Sequence, residues 1–257
     1  MPFKMRHARV GRLPAKSEGM TSDIFEEFVA TLAHELRTPL NAILGYARLL
    51  KSGKLDSAAA ENALDCLYRN AERQVQLVSD LLDASSILHG KLELNMAPLD
   101  LSAVIHDVLD CIRIEAESKS IRICCDIEHI DGVVIGDARR LQQVGCNLLT
   151  NAIKFSPAGG SINVRLRSRD GHAEISVADT GVGLSEEFLP HVFEKFRQAD
   201  ISQVRRNGGL GLGLAIVQEV VTMHDGIVEA QSKGVGRGAT FTVKLPLQPV
   251  ALTAGLA

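Results

Sequence analysis

The spacing of apolar residues changes near residue 90, and this change constrains the fold more than any other feature of the sequence. From about residue 22 to residue 88, apolar residues recur at the three- and four-residue steps of a helix. The polar stretch 51–57 interrupts the pattern, which predicts two long helices joined as a hairpin. The first stripe comprises Phe28, Leu32, Leu36, Leu40, Ile43, Ala47 and Leu50, and the second comprises Leu64, Leu67, Ala71, Val75, Val78, Leu82 and Ser85.

The apolar face of such a hairpin needs a partner from outside the hairpin. A helix of about 30 residues spans roughly 45 Å. This half of the chain contains no globular segment that could cover a face of that length. A homodimeric four-helix bundle formed through residues 22–90 is the economical solution.

After residue 100 the sequence is typical of a domain that combines helices with a β-sheet. Strand-like segments are IRICCDI, two alternating runs around the Asp170–Gly171 turn, GIVEAQS and ATFTVKLP. Helices are predicted over 102–118, 137–155 and 212–224, with Ser102 as the N-cap of the first. The fold class is therefore a helical hairpin, 22–90, followed by a two-layer α+β sandwich, 100–248. Residues 1–21 are expected to be a disordered or linker segment and 249–257 a tail.

The composition argues against several classes of partner. The net charge is -3 and the sequence pI is about 6.2, so no general attraction to nucleic acid is expected. Apolar runs fall short of the roughly 18–20 residues that cross a membrane, so no direct membrane span is expected. The five cysteines include no CxxC pair, which favours free thiols and a cytoplasmic location. The alternative is the cytoplasmic portion of a membrane-bound sensor.

The first candidate site is the pair His34–Glu35 within the first helix. His34 follows the stripe residue Leu32 by two positions, a rotation of about 200° that turns it away from the bundle core. A zinc site of the HExxH type would need histidine where Thr38 stands, so that interpretation fails. Two interpretations remain, an ordinary exposed polar patch or a nucleophilic imidazole with Glu35 as its base and orienting group. Pro39 is expected to kink the helix nearby.

The second candidate site combines one helix face with a glycine-containing turn. Asn147, Asn151 and Lys154 follow one another at steps of four and three, which places them on one side of the predicted helix. Amide oxygens are suitable ligands for Mg²⁺, and a lysine can contact phosphate as a point charge. Asp179 ends a predicted strand just before two glycines, where a carboxylate could accept a hydrogen bond from an exocyclic amine such as that of adenine.

A glycine-rich stretch opens the last predicted helix. The polar, non-periodic segment 198–208 is predicted to be a mobile nucleotide lid. It leads into GGLGLGLAIV, whose closely spaced glycines would expose backbone N–H groups to phosphate at a helix N-terminus. A Rossmann site would need GxGxxG directly after a strand, and neither requirement is met.

Taken in order, these segments resemble the catalytic core of sensor histidine kinases of two-component systems. FVATLAHELRTPLNAILGYARLL is similar to their HExxT-type phosphoacceptor box, and DARRLQQVGCNLLTNAIKFSP is similar to their N-box. VADTGVGLS, GGLGLGLAIV and GVGRGATFTV resemble the three glycine boxes, and FEKFRQ resembles the box that contains phenylalanine. The resemblance covers roughly residues 22–247 and implies an ATP-binding domain of the Bergerat type.

The resemblance implies an enzyme that uses ATP and Mg²⁺ to phosphorylate His34 and then passes the phosphoryl group to an aspartate of a separate response regulator. It implies Glu35 as base and Thr38 as the residue that positions water in a regulator phosphatase. It also implies Asn151 as main Mg²⁺ ligand, Asn147 as its support, Lys154 and Arg197 on phosphate, and Asp179 on adenine. The other implied ATP-binding residues are Gly181, Gly183, Phe193, Phe196, Gly209, Gly211, Leu212, Gly213 and Thr240.

Two other functions stay open at the level of the sequence. One is a catalytically silent scaffold that binds ATP or a partner. Leu210 allows this because it stands where the family usually has Thr, Ser or Ala and so removes a hydroxyl contact. The other is a gyrase-type ATPase, which would leave the histidine of the hairpin unexplained.

Overall fold

The computed structural model describes residues 7–9, 22–88, 91–197 and 210–248. The chain forms two compact units, one containing the two N-terminal helices and one containing the sheet. The predicted lid over 198–208, Gly209 and the predicted tail 249–257 lie outside the described residues, as does most of the segment 1–21.

The helical unit is the predicted hairpin. Helix α1 covers Ser22–Lys51 and helix α2 covers Ser57–Leu88, and α1 runs through Pro39 without a break. The Asp56 carboxylate accepts a hydrogen bond from the Ala59 amide at 2.8 Å, which satisfies an N–H at the start of α2. The polar connection predicted at 51–57 is therefore confirmed.

Helix α2 carries two rows of apolar side chains. One row is buried and contains Ala63, Leu77, Ala84 and Ile87. The other row contains Leu64, Val75, Val78 and Leu82, which stay 44% to 71% exposed, and Leu40 and Leu44 of α1 are exposed to a similar degree. The apolar stripe that the sequence periodicity predicted on α2 is therefore the exposed row and not the buried row. The hairpin thus leaves a long apolar surface uncovered.

The second unit is a two-layer α+β sandwich, as predicted. In its six-stranded sheet β3 and β5 are parallel and the other neighbours are antiparallel, in the order β1-β7-β8-β6-β5-β3, while β2 and β4 form a separate ribbon. The strands are β1 His7–Arg9, β2 Ala97–Leu99, β3 Arg122–Ile127, β4 Val134–Gly136, β5 Ser161–Arg169, β6 His172–Asp179, β7 Ile227–Ser232 and β8 Ala239–Pro246. The helices are α3 Leu101–Ser118, α4 Ala138–Phe155 and α5 Gly213–Met223, with a short 3₁₀ turn at Leu189–His191.

Three sequence expectations need correction here. His7–Arg9 lie in the segment expected to be disordered or a linker, yet they pair with Glu229–Gln231 as an edge strand. Helix α3 is capped by Asp100 instead of Ser102, because the Asp100 carboxylate accepts both the Ser102 amide at 2.8 Å and the Ser102 hydroxyl at 2.7 Å. The strand β2 also precedes the predicted domain start at residue 100.

Along each strand, successive side chains alternate between a face packed against the helices and a polar face. On β8 the buried residues are Ala239, Phe241, Val243 and Leu245, and the residues between them are partly exposed. Val243 lines a cavity of about 30 Å³ together with residues of α3, α4, β5 and β6. The five cysteines are free thiols, as predicted. None of the described helices has the length and apolar character that spanning a bilayer demands.

Candidate active site

His34 is an exposed residue of α1, as its position relative to the apolar stripe predicted. One turn further on, the Thr38 hydroxyl donates a hydrogen bond to the His34 carbonyl at 3.0 Å. This bond fixes the orientation of the Thr38 hydroxyl and directs its lone pairs away from the helix backbone. The imidazole therefore lies on the surface, beside a hydroxyl that can still accept hydrogen bonds.

Glu35 is the next residue of α1 and, unlike the exposed His34, it is buried. Glu35 is 8% exposed, and its Oε2 accepts a hydrogen bond from Arg73 Nη2 of α2 at 3.2 Å. The Arg73 side chain is itself 52% exposed. Sequence reasoning did not find Arg73, because its partner is 38 residues away and no local motif marks the pair.

Helix α4 presents the predicted polar face. Its buried residues, among them Leu148, Ala152 and Ile153, pack into the core, while Asn147, Asn151 and Lys154 are all half-buried on the other side. Asn147 Nδ2 donates to the Gly213 carbonyl at 3.2 Å, so its Oδ1 stays available as a ligand oxygen. Lys154 Nζ lies 4.9 Å from the centroid of the Phe155 ring.

Asp179 ends β6 and is joined to two backbone segments. Its Oδ1 accepts hydrogen bonds from the Gly181 amide at 2.7 Å and from the Ala239 amide at 3.3 Å. Burial raises the pKa of the Asp179 carboxyl, and these two hydrogen bonds offset that rise in part. With Oδ1 occupied, Oδ2 is the oxygen that could accept from a ligand.

The two glycine-containing loops of this unit approach each other so closely that no side chain would fit. A Cβ at Gly183, where φ is +66°, would lie 2.2 Å from the Gly234 carbonyl oxygen. A Cβ at Gly238, where φ is +67°, would lie 2.0 Å from the Asp179 carbonyl oxygen. The Val182 amide also donates to the Phe155 carbonyl at 3.1 Å, which joins the end of α4 to the loop that carries Gly181. Asp179, the glycines and the polar face of α4 therefore belong to one connected site.

The phenylalanine-containing segment is divided between the core and the surface. Phe193 is buried and meets the Phe241 ring edge-to-face at a centroid distance of 6.2 Å. Phe196 is half-buried and has a positive φ of 67°. Arg197 is exposed and donates through Nε to Glu194 Oε2 at 3.1 Å, while His191 Nδ1 lies 2.7 Å from Glu194 Oε1. A phosphate that binds Arg197 would have to compete with Glu194.

The predicted phosphate loop is described from Leu210 onward. Gly211 has a positive φ of 66°, and Gly213 is the first residue of α5. Leu210 is 6% exposed and Leu212 is 2% exposed. The two leucine side chains are therefore buried, and any contribution of this stretch to ligand binding comes from its backbone.

Thr240 is not brought to this site. Asp179 pairs with Ile162, which is fully buried on the side of the sheet covered by helices. Thr240 pairs with Ala178 on the opposite side. The residue beside Asp179 is Ala239, whose amide donates to the carboxylate. The expected role of the Thr240 side chain is corrected accordingly, since successive strand residues point to opposite faces.

Several residues that support the site were missed by sequence reasoning. Lys119 Nζ donates to the carbonyls of Ile153 and Lys154 at 2.7 and 2.9 Å, at the end of α4. The buried His224 accepts the Asp137 amide at Nε2 and donates through Nδ1 to the Val220 carbonyl. Asp137 could be recognised from the sequence as an N-cap, because it directly precedes the apolar pattern of α4. The contacts of Lys119 and His224 could not be recognised, because they join residues that are far apart in the chain.

The oxygen donors of this site determine which divalent cation it could bind. Among the described residues, no group of three or more His, Cys, Asp or Glu side chains could hold a metal ion. The available donors are the amides of Asn147 and Asn151, which are neutral oxygen ligands. Such donors fit Mg²⁺, which keeps several waters or phosphate oxygens in its coordination sphere.

Comparison with known proteins places both units in known families. Residues 26–90 match the His Kinase A (phospho-acceptor) domain. Residues 136–249 match the family of histidine kinase-, DNA gyrase B-, and HSP90-like ATPases. The two matches correspond to the hairpin and to the unit that holds Asp179.

Several similar proteins are histidine kinases. The hybrid signal transduction histidine kinase D of Dictyostelium discoideum is 36% identical over 86% of this chain, which spans 17% of that protein. Full-length ShkA, solved in complex with AMPPNP, has a TM-score of 0.64 and 32% identity, covering 88% of this chain and 46% of that one. The mycobacterial sensor histidine kinase MprB has a TM-score of 0.51 and 32% identity, and the match covers 60% of this chain and 99% of the MprB chain. Since the two family matches together cover most of the chain and the solved MprB chain is matched over 99% of its length at 32% identity, this chain belongs to the sensor histidine kinase family.

Proposed function

We propose that this chain is a protein-histidine kinase core that transfers the γ-phosphoryl group of ATP to His34. The observation that carries the proposal is the exposure of His34 on the hairpin that matches the phospho-acceptor domain. A nucleophile must be open to its substrate, and a neutral imidazole is a competent nucleophile near pH 7. The ordinary polar patch that the sequence left open would not account for a nucleotide site in the same chain.

The chemistry follows from the two neighbouring side chains. An imidazole nitrogen of His34 donates its lone pair to the γ-phosphorus. The bond from that phosphorus to the bridging oxygen breaks, and its electron pair leaves with ADP. Glu35, as the adjacent carboxylate, would accept the proton that the imidazole loses and orient the ring during the transfer.

The residues around Asp179 are suited to hold the nucleotide. Asp179 Oδ2 would accept the exocyclic amine of adenine, and the backbone of the glycine loops would approach the phosphates. Asn151 and Asn147 would bind Mg²⁺, which supplies charge neutralisation to the phosphates when bound. Lys154 would contact phosphate, and Arg197 would do so after exchanging its bond to Glu194.

We further propose that the hairpin forms a homodimer through residues 22–90. Its support is the exposed row Leu64, Val75, Val78 and Leu82, which a second copy of the hairpin would cover. The phosphoryl group would then pass from His34 to an aspartate of a response regulator in trans. ATP as substrate and five free thiols favour the cytoplasm as the location.

A phosphatase activity toward the regulator is a second candidate function. The observation that favours it is the hydrogen bond from the Thr38 hydroxyl to the His34 carbonyl, which leaves the hydroxyl lone pairs oriented outward. Such a hydroxyl can accept a hydrogen bond from a water molecule and orient it for attack.

The test is a labelling assay with γ-labelled ATP on the chain, on His34→Gln and on His129→Gln as the matched control. His129 is also highly exposed, with 91% of its side chain accessible, but it lies outside the hairpin. We expect acid-labile label on the wild type and on His129→Gln, and its loss in His34→Gln. ATP turnover without label on the protein would instead indicate a gyrase-type ATPase, and binding without either would indicate a scaffold.

A further inference from the structure

The helical hairpin contains a buried charged side chain, Glu35. The Glu35 side chain is 10% exposed, although it carries a carboxylate. Removing an ionised carboxylate from water is costly unless an opposite charge or hydrogen-bond donor compensates. Arg73 supplies both, since its guanidinium is always protonated and donates to Glu35 Oε2 at 3.2 Å.

The contact uses only one of the two carboxylate oxygens. Arg73 Nη2 binds Oε2, and no hydrogen-bond donor to Oε1 is found among the described residues. Oε1 is also absent from the fully buried polar atoms that lack a partner, so it retains some access to solvent. One oxygen is therefore anchored from α2, and the other has no hydrogen-bond partner among the described residues.

We propose that Arg73 is a positioning residue for phosphorylation of His34. By holding Oε2, Arg73 fixes the Glu35 carboxylate so that Oε1 can accept the proton that the His34 imidazole releases when its nitrogen bonds to phosphorus. Without Arg73 the carboxylate loses its anchor and turns toward water. The proposal rests on the proposed function, and it adds a residue from the second helix to the chemistry of the first.

A purely structural role of Arg73 would have different consequences. If Arg73 only linked α1 to α2, its loss would lower the stability of the hairpin and reduce activity regardless of what stands at position 35. A positioning role acts through Glu35, so its effect must disappear when Glu35 can no longer accept a proton. It also acts on the chemical step, so the KM for ATP should not change.

The experiment measures kcat and KM for autophosphorylation in the full chain for Arg73→Gln, Arg73→Lys and the control Arg69→Gln. Arg69 lies one turn earlier on α2 and contacts Cys66 instead of Glu35. We expect Arg73→Gln to lower kcat about tenfold or more at an unchanged KM, because positioned base catalysis contributes roughly 10²–10⁴-fold. Arg73→Lys should restore part of the rate, and Arg69→Gln should resemble the wild type.

The second arm places Arg73→Gln in the Glu35→Gln background, with thermal melting of every variant. We expect no further loss of kcat in the double variant. An Arg73→Gln chain as fast as the wild type, or an equal loss with and without Glu35, would overturn the proposal. An unlabelled wild type would refute the proposed function together with the inference, whereas a labelled wild type with a fast Arg73→Gln refutes the inference alone.

Discussion

At the end of β6, the Asp179 carboxylate is bound to the amides of Gly181 and Ala239 while most of its surroundings are protein. Burial raises the pKa of this carboxyl. A carboxyl whose pKa is higher in the folded state than in the unfolded state gives stability at low pH. That stability is complete below the unfolded pKa and is lost as the pH rises through the folded pKa. At neutral pH the ionised Asp179 therefore costs stability.

Replacement of Asp179 by Asn should change ATP binding and protein stability in opposite directions. The Asn Oδ1 can still accept both amides, but the side chain loses its charge and can no longer accept the adenine amine at a carboxylate oxygen. We expect Asp179→Asn to weaken ATP binding at least tenfold, the loss of a charge-assisted hydrogen bond. We also expect the variant to melt at a higher temperature than the wild type at pH 7.5, as measured by calorimetry.

The matched control is Asp170→Asn in the exposed turn between β5 and β6, where φ is 49° and Asn is well tolerated. It should bind ATP like the wild type and show no gain in melting temperature. The melting difference between Asp179→Asn and the wild type should shrink in acid. A difference that grows as the pH falls would contradict the sign derived from burial.

At the scale of the element, helix α4 carries the Asn face and is held at both ends. The Asp137 carboxylate accepts the Arg140 amide at the N-terminus, and Lys119 donates to the carbonyls of Ile153 and Lys154 at the C-terminus. A cation at a helix C-terminus satisfies carbonyls that have no partner within the helix and interacts favourably with the helix dipole. The position of Asn151, one turn from that end, depends on this anchoring.

Removal of the Lys119 charge should therefore destabilise the ATP-binding domain. We expect Lys119→Met to lower the free energy of unfolding by about 1–2 kcal/mol, because two carbonyls lose a charged donor. Urea unfolding followed by circular dichroism measures the change. Lys91→Met, at an exposed position, is the control and should leave the midpoint unchanged; equal midpoints for both variants would remove Lys119 from this role.

The sequence predicted most elements, because periodicity and turn chemistry act locally. The helical hairpin, the Asp170–Gly171 turn and the five longer strands all follow from residues close to one another in the chain. The contact between Glu35 and Arg73 and the amide of Ala239 at Asp179 depend on tertiary packing. Neither contact produces a recognisable pattern in the neighbouring sequence. Thr240 was assigned to the site from a motif match, and a motif match does not show on which face of the sheet a side chain lies.

At the scale of the whole molecule, the exposed row of α2 is the surface with the clearest consequence for assembly. Leu82 is 63% exposed and Val75 is 71% exposed, although both belong to the stripe with helical period. Burying a side chain of this kind contributes roughly 1.5–3 kcal/mol. Each copy of the chain would contribute this row to a shared bundle core.

Charges introduced into the row should separate the subunits. We expect the double variant Val75→Glu and Leu82→Glu to raise the dimer dissociation constant at least 100-fold, because four carboxylates would enter an apolar core. Sedimentation velocity over a range of concentrations measures the change, and circular dichroism checks that the helices persist. Ile114→Glu on α3, which is 76% exposed, is the control and should not alter assembly; a double variant that stays dimeric would exclude this row as the interface.

The exposure of His34 also limits how long a phosphoryl group would remain attached to it. A phosphoryl group attached to an imidazole on the helix surface would be surrounded by water instead of being sheltered in a closed pocket. The phosphorus–nitrogen bond is prone to hydrolysis, so the protein would do little to extend its lifetime. The modified chain would then act as a short-lived carrier. The duration of its signal would depend on how soon an acceptor arrives compared with how soon water attacks.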